Sequence, residues 1–261
     1  MSFNRSADPD FRRQVTTLAA IIGSIVVNTI SNIFPPNGLN VGTLSNTLLA
    51  PVQITPANYA FSIWGLVYSG LIGFGIYQLQ PSQKYNSRLQ RCGYLLTIAC
   101  VSQCAWIYLF LARLFPLSVV AMLGILVSLI VMYQSLGIDR ERVSQLERWF
   151  VQIPISIYLS WISVATIVNI ASTLYIRDWN GWEIPPTVWT VIMMSVAAAI
   201  AAVMLIQRHD LAYLLVTIWT LTAISIRQVH TPFIAVMGLV LTISLILFGL
   251  SLQLKPSLNA R

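Results

Sequence analysis

The chain has 261 residues, 57% of them hydrophobic and 9% charged, with a net charge of +7. A mean hydropathy of +0.75 excludes an ordinary soluble domain and describes an integral membrane protein. Eight spans of about 20 residues would use about 160 residues and leave roughly 100 for loops and tails, which excludes a separate soluble catalytic domain.

In chain order, the apolar runs bounded by charge, Pro or Gly predict helices over residues 14–34, 56–79, 92–113, 116–137, 150–174, 187–206, 211–226 and 232–253. The first run follows Arg12 and Arg13 but has no A-x-A cleavage pattern before Pro35, so it reads as a retained span rather than a signal sequence. A 21-residue connection from Pro35 to Thr55, without Lys or Arg, leads to the second run. The third run holds all three cysteines, Cys92, Cys100 and Cys104, in neither a disulfide framework nor a CxxC spacing. The seventh run is short and ends in Arg227; a re-entrant helix there would reduce the spans to seven.

Charge placement favours the even number. With the N-terminus and the even-numbered loops on one side, that side carries Arg5, Arg12, Arg13, Lys84, Arg88, Arg91, Arg140, Arg142, Arg148, Arg208, Lys255 and Arg261. The other side carries only Arg113, Arg177 and Arg227. The positive-inside rule then puts both termini in the cytoplasm. It also explains the basic excess as topology, with no nucleic-acid partner.

The spans lack the groups that charge-moving or hydrolytic chemistry needs. All eight acids lie in tails or loops, and His209 and His230 sit at span ends. Neither a proton relay nor a bis-histidine haem site is expected. A nucleophile elbow, a phosphate loop and paired carboxylates at metal spacing are missing from the sequence as well. The expectation is a binding protein with no catalytic residues, no metal and no covalently attached cofactor.

Eight tryptophans supply the positive signal. Trp149, Trp179, Trp182 and Trp189 fall where interfacial indoles belong, whereas Trp64, Trp106, Trp161 and Trp219 fall inside spans. At a rise of 1.5 Å per residue, Trp64 lies ~12 Å, Trp106 ~10 Å, Trp161 ~20 Å and Asn169 ~8 Å from the outer face. Trp64 and Tyr68 share a helix face, as do Trp106 and Phe110, while Tyr158, Trp161, Ala165 and Asn169 form one stripe. Two readings of these residues stand: an aromatic-lined pocket for a planar hydrophobic ligand, or aromatic and amide packing between helices.

Two motifs carry a family resemblance. The run Pro56-Ala57-Asn58-Tyr59-Ala60-Phe61-Ser62-Ile63-Trp64-Gly65-Leu66-Val67-Tyr68 resembles the start of the second helix in the translocator proteins, also called tryptophan-rich sensory proteins or peripheral benzodiazepine receptor homologues. Tyr158-Leu159-Ser160-Trp161-Ile162-Ser163-Val164-Ala165-Thr166-Ile167-Val168-Asn169 is similar to the same family's fifth-helix signature. Gln103 stands where the family has Asn, Pro154 replaces a Pro immediately before the Tyr, and Pro56 is single rather than paired.

The resemblance implies a five-helix bundle that binds porphyrins, other tetrapyrroles or sterol-like lipids. Carried across, Trp64, Tyr68, Trp106, Phe110, Tyr158, Trp161, Ala165 and Asn169 would line or support the pocket, and the Pro35–Thr55 connection would cover it. The expected organisation is all-α: a cytoplasmic tail over 1–13, the translocator-like bundle over 14–174, a three-helix membrane extension over 185–253 and a cytoplasmic tail over 254–261. A bacterial inner or internal membrane is the expected location. A homodimer, or docking of the small-residue stretch Ala197–Ala202 onto another membrane complex such as a pigment-protein assembly, is the expected partnership; carriage of a neutral lipophile is a further alternative.

Overall fold

A computed structural model describes residues 9–254; Arg5, Asp8, Lys255 and Arg261 lie outside the described residues. Among those described there is no strand, and the long helices are α1 (Pro9–Ile33), α2 (Ile63–Gln78), α3 (Leu95–Leu111), α4 (Phe115–Ser135), α5 (Ile153–Ile176), α6 (Pro186–Arg208), α7 (Leu211–Arg227) and α8 (Pro232–Leu254). Among the described residues, six helical segments, counting the turns that extend α2 and α5, are long and apolar enough to cross a membrane. The two shorter ones, α3 and α7, have 17 residues each, or about 26 Å at 1.5 Å per residue. The chain is an integral multi-pass helical membrane protein.

Helix ends depart from the hydropathy pattern where side chains override it. α1 is already helical at Pro9, ahead of residue 14, and there Arg13 and Gln14 donate to the Asp10 carboxylate at 3.0 and 3.1 Å, which holds a polar turn in the helix. A tight 3-10 turn over Asn58–Ser62 leads into α2, with a longer rise per residue than the α-helix that the hydropathy run predicts from Pro56. Ahead of α5, Ser144 accepts from the Glu147 amide at 3.1 Å, and a wide π turn spans Arg148–Gln152. Pro154 has no N–H to continue an α ladder, and the wider turn accommodates its ring.

Neighbours in space define the layout. α1 packs on α2 and α3, α2 on α5, α3 on α4, and α4 on α5, which closes a ring of five. α7 packs on the outside of α5, and α6 and α8 pack on α7 and on each other. As the helix common to both groups, α5 with its lead-in is 61% buried over its most apolar stretch, against 22% for α1 and 28% for α8. α7 starts beside Tyr133, whose hydroxyl donates to Asp210 at 2.8 Å, and ends at the connection before α2, where Arg227 donates to the Ser45 carbonyl at 3.1 Å. It therefore runs the length of the bundle.

Apolar surface gives little drive for helices to associate within lipid, so close packing and interhelical hydrogen bonds hold the helices together. A Cβ on Gly70 would stand 2.8 Å from Pro154, and one on Gly238 would stand 2.0 Å from the Ser225 hydroxyl. Ser160 of α5 donates to the Tyr213 carbonyl of α7 at 2.9 Å. Ala197, Ala198 and Ala201 of α6 are buried within the chain itself, so their small size already serves internal packing.

Charged groups are tied together at the end of the bundle that carries the basic loops. Arg88 grips both oxygens of the buried Glu147 at 2.7 and 2.8 Å. Arg91 and Arg88 also reach Glu141 at 3.3 and 3.4 Å, and these two guanidiniums hold its carboxyl below the usual range. The two-residue corner between α6 and α7 consists of His209, in the left-handed region at φ 46°, and Asp210, which caps α7 by accepting from the Tyr213 amide at 2.9 Å.

Candidate functional site

A cavity of about 350 Å³ lies at the opposite end of the bundle. It is bounded by α1, α3, α4, α5 and the start of α2, and is covered by the connection between α1 and α2. That connection is a structured lid. Asn40 caps a short helix, Val41–Asn46, by accepting from the Thr43 amide at 2.8 Å, and Leu44 and Leu49 are each 1% exposed.

The next chain segment is fastened to α7. The Ala57 amide donates to the Ala223 carbonyl at 3.1 Å, Trp219 Nε1 donates to the Ala60 carbonyl at 3.3 Å, and Gln228 Nε2 donates to the Gln53 carbonyl at 2.8 Å. Trp219 also stands edge-on to Tyr59, with ring centroids 5.0 Å apart. The cover of the cavity is thus anchored by a helix of the C-terminal group.

Aromatic rings build one wall in a connected set. Trp64 stacks on Tyr68 at 5.4 Å and meets Tyr158 and Trp161 edge-on at 6.0 and 6.4 Å. Phe61 meets Trp161 edge-on at 5.9 Å. Across the cavity, Trp106 lies 5.2 Å from Phe110, which stands edge-on to Phe115 at 5.3 Å. Offset and edge-to-face geometries are those the ring quadrupole favours, and they fix the orientation of these side chains.

Beneath the cavity Gln103 joins two tyrosines. Its Nε2 donates to the Tyr68 hydroxyl at 2.6 Å, and its Oε1 accepts from the Tyr158 hydroxyl. Gln103 thus bridges α2 and α5 from α3. Nearer the lid, Asn169 Oδ1 accepts from Trp106 Nε1 at 3.4 Å and from the Ser118 hydroxyl at 3.2 Å. An indole can only donate, so these contacts set the direction of the Asn169 amide.

Among the described residues, two donors of the cavity lining remain without partners. Trp161 Nε1 and Asn169 Nδ2 are buried, have no hydrogen-bond partner and belong to residues that line the cavity. No lining residue carries a charge. Buried unpaired donors in a neutral aromatic cavity are the arrangement that a ligand bringing its own acceptors would complete. Among the described residues, no group of three or more His, Cys, Asp or Glu gathers as a metal ligand set.

Of the residues singled out in the sequence, Trp64, Trp106, Phe110, Trp161, Ala165 and Asn169 line the cavity. Tyr68 and Tyr158 do not reach it and act instead as partners of Gln103. The sequence reading missed Phe61, Met122 and Gln103, along with Asn28 and Asn32 at the end of α1. Two Asn residues four apart in an otherwise apolar run were the available signal for the last pair. Among the interfacial indoles, Trp179, Trp182 and Trp189 cluster at the α5–α6 corner with centroids 5.4 to 5.8 Å apart.

One family, described as TSPO-like protein, matches residues 14–251. The match runs through α6, α7 and α8 as well as the ring of five. No curated protein and no solved structure matches the chain.

Proposed function

The chain belongs to the TSPO-like protein family, and from that membership and the cavity we propose that it is a membrane-embedded binding or sensory protein for a planar lipophilic ligand, a porphyrin or other tetrapyrrole. The observation that carries the reading is the pair of unpartnered donors, Trp161 Nε1 and Asn169 Nδ2, in a neutral aromatic cavity. A flat ring would lie between the Trp64–Trp161 wall and the Trp106–Phe110 wall, and a carbonyl or carboxylate on its edge would accept from the two donors. The cavity, at about 350 Å³, sits at the low end of the ~300–1,000 Å³ typical of ligand sites. A macrocycle would therefore enter edge-first with the lid displaced outward.

This assignment makes the protein a binder rather than a catalyst, with both termini cytoplasmic and the cavity in the outer half of the membrane. The ring of α1 to α5 forms the ligand-binding unit, and α7, backed by α6 and α8, braces its cover. Titration of the purified protein with protoporphyrin IX, read by tryptophan fluorescence, tests the proposal. Saturable quenching is expected because Trp64, Trp106 and Trp161 face the ligand; a linear, non-saturating response would overturn it.

A further inference from the structure

A second concavity lies outside that site, on the flank of the bundle between the start of α5 and α7. It is a groove of about 670 Å³. Its head, at the basic end, holds Asp139, Arg148, Gln152 and His209, and its length is walled by Leu66, Leu215 and Trp219. Leu66 and Leu215 are 55% and 63% exposed, so the groove opens sideways to the surroundings of the helices. From Leu211 to Trp219 it follows α7 for roughly 12 Å.

Every membrane helix bundle has an apolar flank; the head of this groove sets it apart. Gln152 is 7% exposed, and its Nε2 has no hydrogen-bond partner, a costly state for a buried amide. Arg148 and Gln152, the two ends of the π turn, both line the groove. Single wide turns of this kind recur at functional sites.

Two further charges at the head are already satisfied. Arg208 donates to the Ile138 carbonyl at 3.3 Å and lies over the Tyr133 ring. Asp210 accepts from Tyr133 and from the Tyr213 amide. That leaves one cation, Arg148, one carboxylate, Asp139, the His209 imidazole and the unpaired Gln152 amide. Among the described residues Asp139 and Arg148 form no ion pair with each other, although each lies in the other's electrostatic field.

We propose that this groove binds one glycerophospholipid with a zwitterionic primary-amine headgroup. The phosphate sits on Arg148, His209 and the Gln152 amide, the ammonium sits on Asp139, and one acyl chain lies along Leu66, Leu215 and Trp219. Balanced charges at the head match a zwitterion. An anionic headgroup would leave Asp139 facing negative charge, and a quaternary ammonium cannot donate a hydrogen bond to it.

Native mass spectrometry from mild detergent tests this, with dioleoyl phosphatidylethanolamine, phosphatidylcholine and phosphatidylglycerol added at equal concentration. One phosphatidylethanolamine per chain is expected, retained at least fivefold over either other lipid. Ala212→Trp, which fills the groove, should abolish the retention. Asp139→Asn, nearly isosteric and in a loop, should reduce phosphatidylethanolamine to the level of phosphatidylcholine. Equal retention of all three lipids that survives Ala212→Trp would mean annular contact only and would overturn the site. Preference for phosphatidylglycerol would overturn the headgroup assignment.

Discussion

Arg227, in the last turn of α7, donates to the Asn46 side chain at 2.7 Å, joining the C-terminal group of helices to the lid of a cavity built by the first five. The same guanidinium reaches the carbonyls of Ser45 at 3.1 Å and Pro56 at 3.4 Å. Asn46 passes the connection on by donating to Asn58 at 2.6 Å. One arginine thus ties the middle of the segment that covers the cavity to the residue just after its end.

Arg227→Ala should free the lid without unfolding the bundle. Hydrogen bonds to a charged group are worth about 1.5–3 kcal/mol each, and less where water competes. Amide hydrogen exchange over residues 41–55 should accelerate at least tenfold while exchange in α3 and α5 stays unchanged. Unchanged lid exchange would mean that Leu44 and Leu49 hold it by packing alone.

Gln103→Leu should destabilise the protein more than its volume change suggests. Two tyrosine hydroxyls lose their shared partner, at about 1–3 kcal/mol for each group left unsatisfied. Adding Tyr68→Phe and Tyr158→Phe to Gln103→Leu removes the stranded hydroxyls and should restore much of the thermal stability. A triple variant no more stable than Gln103→Leu would show that the amide acts through packing.

Gly238→Ala should be poorly tolerated. The new methyl would meet the Ser225 hydroxyl at 2.0 Å and Met194 at 2.7 Å, and overpacking of this kind costs about 1–3 kcal/mol. Gly65→Ala in α2, with open space at its Cβ, is the control and should leave the melting temperature in detergent unchanged. Similar melting temperatures for the two variants would contradict the close α7–α8 packing.

The acidic clamp at the basic end should show in pH and mutation together. Glu147 is 4% exposed at its side chain and Arg88 is 25% exposed. Glu147→Gln should therefore cost on the order of 2–3 kcal/mol, below the ~3–5 kcal/mol for fully buried pairs. Glu141 has its carboxyl lowered by Arg91 and then Arg88, so its stabilisation is present above the ordinary glutamate range and is lost as pH falls through the lowered value. Melting temperature should be flat from pH 7 to about 5 and fall below about 4.3. Glu141→Gln should flatten part of that fall while changing little at pH 7.

Much of this architecture can be read in the sequence because lipid imposes simple rules. Apolar runs of span length and the asymmetry of Arg and Lys give the helices and their order without any knowledge of contacts. The stripe Tyr158, Trp161, Ala165 and Asn169 follows from helical spacing, and the structure directs Trp161, Ala165 and Asn169 to the cavity. Periodicity cannot say how deep a side chain stops, which is why Tyr68 and Tyr158 end below the cavity with Gln103. Nor can it reveal contacts between segments far apart in the chain, such as Arg227 with Asn46 or Tyr133 with Asp210. The π turn before Pro154 was equally hidden, since only the proline hints at an irregular ladder.

The most direct test of the ligand assignment is equilibrium dialysis of protoporphyrin IX against the unmodified protein and Asn169→Leu, a near-isosteric change that removes one free donor and the acceptor of Trp106. The account predicts one saturable site per chain, weakened at least tenfold by the substitution, with helicity by circular dichroism unchanged. Equal affinity for both proteins, or no saturable binding to either, would contradict it.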